Sequence, residues 1–69
     1  VKDTPGSLIK ARRLELKLTQ TQAAYNMGRS QSYWADLEAD RRHVTIATLE
    51  RVARALKCRV QILLIPKQP

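Results

Sequence analysis

The stretch from Leu18 to Glu38, L-T-Q-T-Q-A-A-Y-N-M-G-R-S-Q-S-Y-W-A-D-L-E, constrains this chain more than any other, because it packs the start and stop signals of two short helices into one segment. Thr19 and Gln22 fit a capping box, in which the threonine hydroxyl accepts from the amide of the third helical residue while the glutamine reaches back, so a helix begins at Gln20. Gly28 stands where that helix should stop, since glycine enters the left-handed region without a Cβ clash. Ser30 is placed to cap a second helix. Small Ala23 and Ala24 facing Trp34 and Leu37 predict two elements that cross closely over one apolar seam. Gln31, Ser32 and Asp36 are left facing outward.

The 69 residues make one domain at most, spanning 1–69. A chain this short buries only about 60% of its unfolded surface, so oligomerisation is expected on size alone. Thirteen Lys and Arg against six Asp and Glu give a net charge of +7 and a pI near 10.4. That balance suits nucleic acid or an anionic surface. The longest apolar run, Ile62 to Ile65, falls far short of the roughly 20 residues of a membrane span. No signal peptide is read, and a single cysteine, Cys58, excludes an internal disulfide or a multi-cysteine zinc site and fits a reducing cytoplasm. Cys58 is expected to be a small buried apolar residue. No cofactor, metal site or enzymatic activity is expected: His43 stands alone in a basic loop, Cys58 has no histidine near it in sequence, and there is no glycine-rich phosphate loop.

Outside the central stretch, residues 1–6 read as a short arm, and Ser7 is placed to cap a first helix running to about Lys17. Ile9, Arg13 and Leu16 fall at helical spacing, which sets a guanidinium on the apolar stripe. Burying it unpaired costs several kcal/mol, so a carboxylate is needed, and Glu38 is the candidate; the alternative is an Arg13 that snorkels to solvent. Asp40 to His43 form a polar connector. Thr45 is placed to cap a last helix to about Lys57, with Ile46, Leu49, Ala53 and Leu56 as its stripe and Arg51, Arg54 and Lys57 on another face, the last two where the helix dipole favours cations. The helical core is thus expected over 7–57. The period then changes: Val60, Ile62 and Leu64 alternate with Arg59, Gln61 and Leu63 until Pro66, which predicts a strand over 59–65. With no second strand in sequence, its backbone needs another molecule, most simply the same strand of a second copy across a twofold axis. A flexible tail is the alternative.

The R-R-L of the first helix, L-T-Q opening the second, M-G-R-S at the turn, L-E closing the third and T-I-A-T-L-E-R-V-A-R-A-L in the last resemble, over roughly Ser7 to Leu56, the phage repressor and Cro type of helix-turn-helix protein, the Xre family. The resemblance implies a mainly α, four-helix, lambda-repressor-like domain, followed here by the dimerising strand. It implies that Gln20 binds a backbone phosphate and braces Gln31, that Ser32 and Asp36 also face bases, and that Arg13 and Glu38 form the buried pair, as their spacing suggests independently. Arg29, Ser30 and Tyr33 join the DNA-facing set, and Arg41 and Arg42 fix the register on phosphates. Departures from the family pattern are Arg29 in place of an aliphatic residue, Asp40 in place of a common glycine, Trp34 at a usually aliphatic core position, and the carboxylate of Asp36 near phosphates. Asp36 suits either accepting from a cytosine amino group or opposing wrong sites.

The ending, A-L-K-C-R-V-Q-I-L-L-I-P, is similar to antitoxins of the HipB kind, a resemblance that implies a strand-paired dimer repressing its own operon and binding a toxin. The expected function is therefore a homodimeric, sequence-specific repressor on an inverted-repeat operator of double-stranded DNA, in a bacterial cytoplasm and nucleoid and without a membrane partner. The antitoxin subtype, with a cognate toxin as partner, stands beside a phage or mobile-element repressor and a restriction-modification controller. A module that binds proteins and not DNA, its strand adding to a partner's sheet and Asp36 with the acidic Glu38 to Asp40 end as its support, is the reading from another class.

Overall fold

The computed structural model describes residues 3–67, so the first two residues of the expected arm lie outside it. It contains four helices, α1 (Pro5–Glu15), α2 (Gln20–Met27), α3 (Gln31–Glu38) and α4 (Ile46–Ala55). The α2 and α3 boundaries are those the capping signals predict. Thr19 accepts from the Gln22 amide while the Gln22 side chain accepts from the Thr19 amide, Gly28 takes φ 72° at the end of α2, and Ser30 accepts from the Tyr33 amide to open α3. Thr45 caps α4 in the same manner.

The first helix starts earlier than expected. Thr4, not Ser7, is its cap; Ser7 is the return arm of a capping box, its hydroxyl accepting from the Thr4 amide at 2.9 Å. Pro5 decides between them, since its fixed φ is already helical and its missing N–H is one that the first turn leaves unused. At the other end α1 stops at Glu15, and α4 stops at Ala55, each short of the lysine expected to close it. All four helices end alike, with a bond from the amide five residues on: Leu18 to the Arg13 carbonyl, Arg29 to Ala24, Arg41 to Asp36 and Cys58 to Ala53. This termination needs one left-handed residue. Gly28 supplies it once, and Lys17, Asp40 and Lys57, at φ 58°, 59° and 56°, supply it in the other three.

The core comprises Ile9, Ala23, Ala24, Met27, Trp34, Leu37, Val52, Ala55 and Leu56. Trp34 is entirely removed from solvent, as are Ala23 and Ala24 across from it, so the seam predicted between α2 and α3 is the centre of the molecule. α3 packs on both α1 and α2, and α4 closes over α2. The stripe of α4 is rotated from the expected one. Ile46 is exposed, Leu49 is only half-buried, and Val52 and Ala55 join Ala53 and Leu56 inside. Ile46 is the first residue of the helix, where the chain has not yet reached the core.

Beyond α4 no strand forms among the described residues. Val60 is half-buried beside Pro5, Leu8, Arg12 and Leu56, but Leu64 is 94% and Ile65 83% exposed. Cys58 is exposed and not buried, because the chain leaves the core as soon as the α4 terminus is closed. That terminus is held by Arg12, whose guanidinium donates to the carbonyls of Leu56 and Lys57 at 3.1 and 3.3 Å, a cation where the helix dipole favours one.

Candidate nucleic-acid interface

α3 is eight residues long and amphipathic in the strict sense: Trp34 and Leu37 are buried while Gln31 and Ser32 are open to solvent. Its orientation is set from beneath by one carboxylate. Glu38 is gripped by the Arg13 guanidinium through Nε and Nη2, at 2.5 and 3.0 Å, with both side chains nearly removed from solvent. Trp34 Nε1 donates to the same carboxylate at 2.7 Å and Gln20 Nε2 at 3.0 Å. The remaining Arg13 nitrogen donates to the Leu18 carbonyl at 2.8 Å. Burial on its own pushes the Glu38 carboxyl up, but the hydrogen bonds from Arg13, Gln20 and Trp34, with the Arg13 charge, outweigh it and hold the group below its ordinary 4.5. The same partner raises Arg13 further above its usual value. The pair expected from spacing is therefore present; the indole that completes it, one helical turn before Glu38, was not anticipated.

From this buried centre a chain of amides runs to the surface. Gln20, anchored on Glu38, accepts from Gln31 Nε2 at 2.7 Å. The brace between the first residues of α2 and α3 is thus formed, and it orients an exposed side chain by tying it to a buried charge. Gln31 keeps its carbonyl oxygen and one N–H for another partner. The Ser30 hydroxyl oxygen accepts from the Tyr33 amide at 3.2 Å, which leaves its O–H free to donate.

The cations that flank α3 are less free than the sequence suggests. Arg29 and Arg42 both lie over the Tyr33 ring, at 4.7 and 4.4 Å from its centroid. Arg41 Nη1 meets Asp36 Oδ1 at 3.0 Å, and Arg42 Nε lies 3.8 Å from Asp36 Oδ2. Arg41 and Arg42, expected to point at phosphates, are drawn back onto α3 because Asp36, half-buried and one turn after Tyr33, is the nearest negative charge. Three arginines against one aspartate still leave this face positive.

Asp40 has a separate task. Its left-handed backbone closes α3, and its carboxylate accepts from the Gly6 amide at 2.8 Å and from the Thr4 hydroxyl at 2.6 Å. An anion at the amino end of α1 is stabilising there. Gly6 permits the approach: a Cβ at that position would lie 2.5 Å from the Glu38 carbonyl oxygen and 2.6 Å from that of Leu37. Of Val60, Ile62 and Leu64, only Val60 is half-buried in the single chain, while Ile62 and Leu64 are exposed.

Two short helices meeting at a glycine turn, the second with a polar outer face between basic flanks, define a helix-turn-helix unit, and the helix-turn-helix domain family matches residues 6–61. The chain belongs to that family. It is 51% identical over 57 residues to the "Immunity repressor protein" of Bacillus phage phi105, an alignment covering 83% of this chain and 40% of that repressor. The chain therefore spans less than half the length of the relative it matches. No solved structure gives a significant match. The resemblance to phage repressors of the Xre type is borne out. Among the described residues no helix is long and apolar enough to cross a membrane.

Proposed function

We propose that this chain is the DNA-binding unit of a sequence-specific transcriptional repressor of the phage-repressor kind, acting as a homodimer. The observation that carries the reading is the hydrogen-bonded chain from Arg13 and Glu38 through Gln20 to Gln31. A buried ion pair is an expensive way to hold two surface glutamines, and it makes sense where an exposed amide must be presented rigidly to a base edge. Gln31 and Ser32 read bases in the major groove, while Gln20, Arg29, Arg41 and Arg42 supply the phosphate contacts that fix register. The strand over 59–65 forms across a twofold axis, supported by the exposed run Ile62 to Ile65 and by the absence of a backbone partner for it within the described residues.

The relative named an immunity repressor favours a phage or mobile-element regulator over an antitoxin, for which the likeness of about a dozen C-terminal residues is the support. The protein-interaction reading draws less support from its acidic residues, since Asp36, Glu38 and Asp40 all have partners inside the chain. Substituting Gln31→Ala tests the assignment on a duplex obtained by selection. It should weaken binding to that duplex by about 1–3 kcal/mol and hardly alter binding to random DNA, since a bidentate base contact is worth that much. Unchanged preference for the selected sequence would remove α3 from base reading.

A further inference from the structure

Asp36 is the one carboxylate on the outer face of α3, and both arginines of the connector after α3 turn back to it. Arg41 and Arg42 remain largely exposed, at 67% and 48% of their side chains, so neither is driven onto Asp36 by burial. Charge holds Arg41 there, and charge together with the face of the Tyr33 ring holds Arg42. On a reading helix pressed into a groove, this arrangement has a consequence. While the aspartate keeps its arginines, the polyanion meets a partly neutralised cluster, and fewer counterions are released on binding. If the arginines leave for phosphates, a bare carboxylate is stranded between two sugar-phosphate backbones, which is unfavourable unless a donor replaces them. Bases present such a donor in the major groove as an exocyclic amino group, and the cytosine N4 amino group is the one a carboxylate accepts from.

We propose that Asp36 is a specificity-determining residue that makes phosphate binding by Arg41 and Arg42 conditional on a cytosine opposite it. At a wrong site the three side chains stay paired with one another and the grip is weak. At a matching site the cytosine amino group takes over the carboxylate, and both guanidiniums swing to the backbone. Tyr33 assists as a positioning residue, since Arg42 lies over its ring as well as beside Asp36. The inference rests on the reading of α3 as the base-facing helix.

The test is a salt titration of binding to a short random-sequence duplex, followed by fluorescence anisotropy, for the wild type, for Asp36→Asn, and for Asp36→Asn combined with Arg41→Ala. The amide keeps the shape of the side chain and removes its charge, and a thermal melt confirms that α3 is intact. Asp36→Asn should bind random DNA several-fold more tightly, with a plot of log affinity against log salt steeper by roughly 0.9 for each arginine released. Adding Arg41→Ala should return part of that slope. In a selection from a random pool the variant should exchange one preferred cytosine for adenine, the base an asparagine pairs with. Random-DNA affinity and slope equal to the wild type would overturn the proposal. Wild-type protein that binds no duplex at low salt would instead remove the DNA-binding reading beneath it.

Discussion

Between Leu18 and Glu38 every buried polar side chain finds its partner within the chain, whereas beyond the half-buried Val60 the apolar residues Ile62 to Ile65 stand exposed. The two stretches differ in period more than in apolar content. A helix satisfies its own amides and needs only a face to bury, so α2 and α3 close on each other as soon as Gly28 turns the chain. A strand satisfies nothing until another strand arrives. The helical part is complete within one chain, while the extended part has no strand partner among the described residues. In the proposed function reading belongs to the first region and pairing to the second, and each can be attacked separately.

The largest effect should come from Glu38→Ala, which strands the Arg13 guanidinium in the interior together with the Trp34 indole N–H and should cost about 3–5 kcal/mol. Replacing Arg13 and Glu38 together with apolar residues should recover much of that loss, as measured by thermal or denaturant melts. Strictly additive losses would show that the pair is not a unit. The same carboxylate sets an acid dependence. Its pKa is lowered on folding from the ordinary 4.5, so the stability it contributes is complete above about pH 4.5 and is lost as the pH falls through the lower folded-state value. The apolar double variant should lack that part of the acid response.

A smaller loss is expected from Gly6→Ala. The added methyl would meet two backbone carbonyls of α3 at 2.5 and 2.6 Å, and neither can rotate away as a side chain would, so α1 must shift outward at about 1–3 kcal/mol. A variant that melts with the wild type would mean that α1 and the end of α3 do not abut as closely as the structure has them.

What was legible in the sequence follows the range of the interactions. Caps at Thr19, Ser30 and Thr45 and the turn at Gly28 are readable because donor and acceptor lie within four residues of each other. The Arg13 and Glu38 pair spans the domain and was legible all the same, since a charge on an apolar stripe demands a partner. The start of α1 is ambiguous in sequence because Thr4 and Ser7 are both capping residues and the choice falls to Pro5. Asp40 with Gly6, 34 residues apart, left no local signal; neither did the seat of Arg42 on Tyr33, nor the left-handed ends at Lys17 and Lys57, where no glycine marks the turn. In the interface, Gln20 and Gln31 come together as the family resemblance implies, while the retreat of Arg41 and Arg42 to Asp36 depends on a loop conformation that spacing does not specify.

In the proposed dimer the tail joins two copies so that two α3 helices read one operator. The decisive experiment is a selection of bound duplexes from a random pool, run with the full chain and with a chain ended at Lys57. The smallest effect on folding is expected here, since all four helices lie before the cut. The full chain should enrich an inverted repeat whose half-sites are one helical turn, about 34 Å, apart, while the shortened chain should enrich a lone half-site weakly. A lone half-site enriched by the full chain, or no enrichment at all, would rule out a dimer that reads an inverted repeat.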